Sequence, residues 1–241
     1  MTTRTNDAPH PAEPGPDAQA QTPAHEHPHL DALKPRLRGW LHAGMTPVAL
    51  VAGIVLIVLS PPEYRWTAVV YSITALMLFG VSALYHRFTW SERTRTLLKR
   101  FDHSNIFLII AGSYTPFAAV LLPPDEARTL LLVIWGGALA GVIFRVFWVH
   151  APRWLYTPLY IALGWVALFY LPAFWQAGGP AVVILLAVGG LCYSIGGVVY
   201  ALKRPNPSPE WFGFHEVFHA FTLLGFITQY VAVSLVLYGA R

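Results

Sequence analysis

The chain has 241 residues, of which 55% are hydrophobic, 14% aromatic and only 12% charged, a mixture too apolar and too poor in charge for an ordinary soluble domain. A single cysteine, Cys192, excludes an intrachain disulfide and reads as a small packed hydrophobe within an apolar stretch. The formal charge of +4 does not indicate nucleic acid as a partner, because the basic residues flank hydrophobic segments instead of forming an aromatic-interleaved patch.

In chain order, residues 1–30 are rich in Pro, Ala, His, Asp and Glu and hold no apolar run. Such a segment cannot bury enough surface to offset its ordering entropy, and it lacks the apolar core of a signal peptide. Residues 1–41 are therefore expected to be a disordered cytoplasmic tail ending in a juxtamembrane basic segment, with the membrane domain at 42–241. His25, His27 and His29 alternate with polar residues; a solvated tail is favoured there over loose metal binding.

Runs of roughly 20 apolar residues mark candidate membrane spans. They fall near 43–60, 66–87, 104–122, 129–149, 154–174, 180–202 and 213–239, separated by turn residues such as Ser60-Pro61-Pro62, Pro123-Pro124-Asp125 and Gly178-Gly179-Pro180. With the N-terminus inside, twelve Lys and Arg between Lys34 and Arg204 lie on inner flanks, against Arg65, Arg128 and Arg241 on outer ones. The expected fold is an all-α, seven-transmembrane helix bundle, N-terminus cytoplasmic and C-terminus outside.

Ionisable groups at a membrane edge are costly and call for a partner or a role. Ser82 and His86 are one helical turn apart at the inner end of span two, Asp102 opens span three, and His215 and His219 are one turn apart at the inner start of span seven. All five are expected at one depth. Two His at i and i+4 present their rings from one helix face, which suits a tetrahedral ion, and His86 would complete three imidazole ligands. Imidazoles without paired Cys point to zinc. Asp102 is either a fourth ligand or the group that holds a metal-bound water. His42 and His150 read as polar caps at the interface; His103 either supports the site or lies at the interface. His215-Glu216-Val217-Phe218-His219 also fits H-E-x-x-H, but a match that begins a long apolar span carries little weight for a protease.

Ser82-x-x-x-His86, Phe101-Asp102-His103-x-x-Ile106 with Ala111-Gly112-Ser113-Tyr114-Thr115-Pro116, and Phe214-His215-Glu216-x-x-His219 together resemble the bacterial hemolysin III family over about residues 35–240. That family is related to the progestin and adiponectin receptors and, more distantly, to alkaline ceramidases. The resemblance implies a zinc ion near the cytoplasmic face held by His86, His215 and His219, with Asp102 at the metal-bound water and Ser82 beside it. It also implies membership of a superfamily proposed to be metal-dependent membrane hydrolases. Hormone-receptor activity does not transfer, because the receptors carry additional sequence before the first motif.

Bound zinc lowers the pKa of its water from about 15.7 to about 7. The enzymatic reading makes Asp102 the proton acceptor and Ser82 a donor to the developing oxyanion, with a membrane lipid amide or ester as substrate. Tyr114, Thr115 and Gln229 lie deeper; interhelical hydrogen bonding is favoured for them over lining a cavity. The competing readings are a zinc-stabilised sensor or regulator of the membrane and a cytolysin. No span carries the continuous polar stripe of a pore. Membrane lipids are the expected partners, no protein partner is identifiable, and the expected location is the bacterial inner membrane.

Overall fold

The computed structural model describes residues 35–240, together with Thr2. The expectations for the N-terminal tail, including His25, His27 and His29, lie outside the described residues. Pro35–Gly39 form turns, and seven α-helices follow: α1 (Trp40–Leu59), α2 (Arg65–Arg87), α3 (Glu92–Leu121), α4 (Pro124–Phe147), α5 (Arg153–Gly164), α6 (Leu171–Leu202) and α7 (Phe214–Gly239). A 3-10 segment, Trp165–Tyr170, joins α5 to α6. No strand occurs among the described residues. Residues such as Val51, Val58, Leu132, Ile143, Phe147 and Ile184 are exposed on the helix surfaces, more apolar area than water tolerates on a monomer. With lipid as solvent, helices satisfy every backbone group internally. The chain is an integral membrane protein.

Six helical stretches are long and apolar enough to cross a membrane, one fewer than the seven spans expected, because Arg153–Leu202 runs as a single stretch of 50 residues. It is not straight. Gly179 breaks the α6 geometry with φ 78° and ψ 174°, a conformation open to glycine and strained for other residues, and Pro180 follows without an N–H to continue the ladder. Tyr156 near the start of α5 and Tyr200 near the end of α6 hydrogen-bond through their hydroxyls at 3.2 Å, so this stretch leaves one end of the bundle and returns to it.

Consecutive helices pack against one another, and α7 closes against α1, α3 and α6. The central element is α3, which touches α2, α4, α5, α6 and α7. It is longer than the expected span: Ser91 caps it, accepting from the Thr94 N–H at 3.4 Å, and its first turns carry Arg93, Arg95, Lys99 and Arg100. Asp102 therefore sits nearly three turns inside the helix instead of opening it.

Candidate metal centre

At the bundle end where α2 finishes and α7 begins, His86, His215 and His219 converge. All three are buried, and one ligand nitrogen from each lies within 4.8 Å of the others. His86 Nε2 and His215 Nε2 are 3.2 Å apart. Tetrahedral zinc with Zn–N bonds of 2.0 to 2.1 Å separates its nitrogens by about 3.3 Å, so this pair already stands at the spacing an ion needs. Buried His219 Nδ1 has no hydrogen-bond partner among the described residues. Three buried imidazoles, one with an orphaned nitrogen, fit a borderline divalent ion. These residues could form a metal site.

Asp102 Oδ2 lies 3.7 Å from His86 Nε2, and Ser82 lines the same cavity beside it. The five residues singled out in the sequence thus meet at one place. An elongated cavity of about 220 Å³ starts at Ser82, Asp102, His215 and His219 and continues past Ile109 and Phe117 to Phe174 and Gln229. Along α3 it extends from Asp102 to Phe117, about 22 Å at the helical rise.

Of the deeper polar residues, Tyr114 and Gln229 do both things weighed for them. Tyr114 donates to Gly164 O of α5 at 2.6 Å, and Gln229 donates to Leu186 O of α6 at 3.4 Å, yet both also line the cavity. Thr115 stays within the bundle, donating to Ala111 O and accepting from Trp135.

Glu216 is not available as a base. Its Oε1 pairs with Arg38, and its Oε2 accepts from Gly213 N at 2.8 Å as part of a capping box. This pairing belongs to a strap: Arg36 N donates to Glu210 O and Leu37 N to Trp211 O, laying the residues before α1 along the α6–α7 loop. At Gly39 (φ 81°) a Cβ would fall 2.7 Å from the Cβ of His86, so the entry to α1 rests directly against a candidate ligand.

Two residues were missed. His42 is not an interfacial cap: it is 2% exposed, lines the cavity, and stacks on His219 at 3.7 Å between ring centroids and 9° between planes. A signal was present, since the buried residues of α1, His42, Met45, Ala49, Gly53 and Leu56, share one helical stripe. His150 is exposed, as a cap would be. Arg145, counted in the sequence as a flanking charge, is fully buried and donates to His103 Nδ1 at 2.9 Å and to Val149 O at 3.3 Å. That contact places His103 inside the bundle, in support of the site.

Among known proteins, the chain matches the family described as haemolysin-III related over residues 30–230. It is similar to the hemolysin-3 homolog of Bacillus subtilis (28% identical over 83% of this chain and 93% of that protein) and to hemolysin-3 of Bacillus cereus (32% identical over 68% and 72%). A plant relative, heptahelical transmembrane protein ADIPOR2 of Oryza sativa, is 28% identical over 72% of this chain and 82% of its own length.

Proposed function

This chain belongs to the haemolysin-III-related family, and from that premise we propose that it is a zinc-dependent hydrolase of a membrane lipid amide or ester. The observation that carries the reading is the cavity, which joins His215, His219 and Asp102 at its polar end to an apolar stretch running about 22 Å along α3. That shape fits a single acyl chain with its amide or ester at the histidines.

We place seven crossings in the bilayer. The return of Arg153–Leu202 to its starting end, marked by the Tyr156–Tyr200 hydrogen bond, supports two crossings there; so does similarity to a protein named heptahelical. The Lys and Arg bias then sets the histidine end toward the cytoplasm, and bacterial relatives favour the inner membrane.

His86, His215 and His219 hold the ion, which when bound supplies Lewis acidity and a water that ionises near neutral pH. Asp102 Oδ2 accepts a proton from the attacking water as its oxygen bonds to the carbonyl carbon. Asp102 then returns that proton to the leaving nitrogen or oxygen as the amide or ester bond breaks. Ser82, in the cavity wall beside Asp102, orients its carboxyl. The apolar cavity walls exclude bulk water and seat the chain.

The test is metal analysis of the purified protein followed by lipid profiling of membranes containing wild type or Asp102→Asn. One zinc per chain and a lipid species consumed only by wild type are expected. The reading is abandoned if Asp102→Asn and Ser82→Ala leave the lipid profile and function untouched while His86→Ala loses zinc and unfolds. That outcome would leave a zinc-stabilised membrane regulator.

A further inference from the structure

Tyr200 stands in the cavity wall with Asp102, His215 and His219. Its ring meets the ring of His215 at 5.6 Å and 69°. Arg153 fixes it from the other side, with its guanidinium 4.5 Å above the ring and a hydrogen bond to Tyr200 O at 3.3 Å. Its hydroxyl oxygen lies 3.3 Å from His103 Nε2 and 3.2 Å from the Tyr156 hydroxyl.

The proton positions follow from what each group can do. Arginine only donates, so the 2.9 Å contact from Arg145 Nη2 makes His103 Nδ1 an acceptor. The imidazole hydrogen of His103 is then on Nε2, which donates to the Tyr200 oxygen. Tyr156 is 3% exposed, lies beneath the Arg145 guanidinium at 4.2 Å, and hydrogen-bonds only to Tyr200 among the described residues. A buried hydroxyl proton needs an acceptor, so Tyr156 also donates to Tyr200. The Tyr200 oxygen receives two hydrogen bonds, and its own O–H has no acceptor on that side. It is left to the cavity. Two incoming hydrogen bonds also polarise that O–H and strengthen it as a donor.

We propose that Tyr200 donates a hydrogen bond to the carbonyl oxygen of the lipid seated in the cavity, and that Arg145 and His103 are positioning residues that keep its O–H turned inward. The assignment rests on the hydrolase reading for its catalytic consequence, since a donor at that oxygen stabilises the charge that develops there. It rests only on the hydrogen-bond network for the contact itself.

The closing experiment reads the two separately. Full-length, zinc-loaded protein in nanodiscs is given a long-chain N-acyl amide labelled with ¹³C at the carbonyl, and both turnover and the infrared carbonyl stretch of the bound probe are recorded. Tyr200→Phe keeps the ring against His215. It is expected to retain zinc and probe binding within about twofold, to lose turnover by about 100-fold, the scale of removing one oxyanion donor, and to return the carbonyl stretch to higher wavenumber. His103→Leu should behave like Tyr200→Phe, whereas His103→Gln, which keeps a donor near Nε2, should recover part of both signals. Wild type that shifts the carbonyl without turning the probe over removes the hydrolase reading and keeps the donor. A carbonyl stretch identical in wild type and Tyr200→Phe, or a probe that wild type does not bind, overturns the proposal.

Discussion

Glu216 and Asp102 are both buried acids beside the histidine cluster, and their partners separate their roles. Both oxygens of Glu216 are engaged by Arg38 and Gly213 N, whereas Asp102 faces His86 and the cavity. Glu216→Gln is therefore expected to keep zinc and turnover, and Asp102→Asn to keep zinc and lose turnover; metal content and lipid conversion of the two variants decide it. Arg38→Ala leaves a buried carboxylate unpaired and is expected to cost about 3 kcal/mol, visible as a lower unfolding temperature that Glu216→Ala in the same chain partly restores. At this scale the sequence was legible where type and spacing coincided. The i, i+4 pair His215 and His219 and the Ser82–His86 turn could be read directly. Arg145 could not, because a count of flanking charge does not distinguish a guanidinium in the headgroups from one with no exposed surface.

Gly39 and Gly179 both hold positive φ, at 81° and 78°, but they do different things for the helices they bound. A side chain at either strains the backbone by about 1 to 2 kcal/mol. At Gly39 it also meets the Cβ of His86 at 2.7 Å, while nothing lies within 4 Å at Gly179. Gly39→Ala should therefore weaken zinc binding as well as stability, and Gly179→Ala should lower stability alone; isothermal titration with zinc beside thermal melts separates the two. The boundaries of α1, α2, α4 and α7 were readable from hydropathy and turn residues to within a few positions. The early start of α3 was not, because its first turns are basic and polar and are held by a Ser91 cap instead of an apolar run. The 3-10 segment Trp165–Tyr170 was also hidden: its residues are as apolar as the helices on either side.

For the whole molecule, the lateral order of the helices is what gathers the site. Hydropathy and charge bias are one-dimensional signals, able to put residues at a common depth but silent on which helices touch. That is why His86, Asp102, His215 and His219 could be grouped, and why the stacking of His42 on His219 and the place of Tyr200 beside His215 could not. The proposed seven crossings have their own check. In a Cys192→Ser background, Gly178→Cys is expected to react with a membrane-impermeant maleimide on intact cells, and Ser208→Cys only after permeabilisation. Labelling of both from one side would reduce Arg153–Leu202 to a single crossing or a re-entrant loop.

The strap bears on how the protein is made. Arg38 and Glu216, which bind each other, are 178 residues apart, and two of the three candidate ligands belong to α7. Translation delivers α1 to the membrane long before its partner exists, so the histidine cluster is absent from every nascent intermediate and forms only once the final helix has inserted. Any metal the cluster takes would therefore load late, and a chain stalled or cleaved before Phe214 would carry nearly all of its hydrophobic bulk without the two histidines of α7.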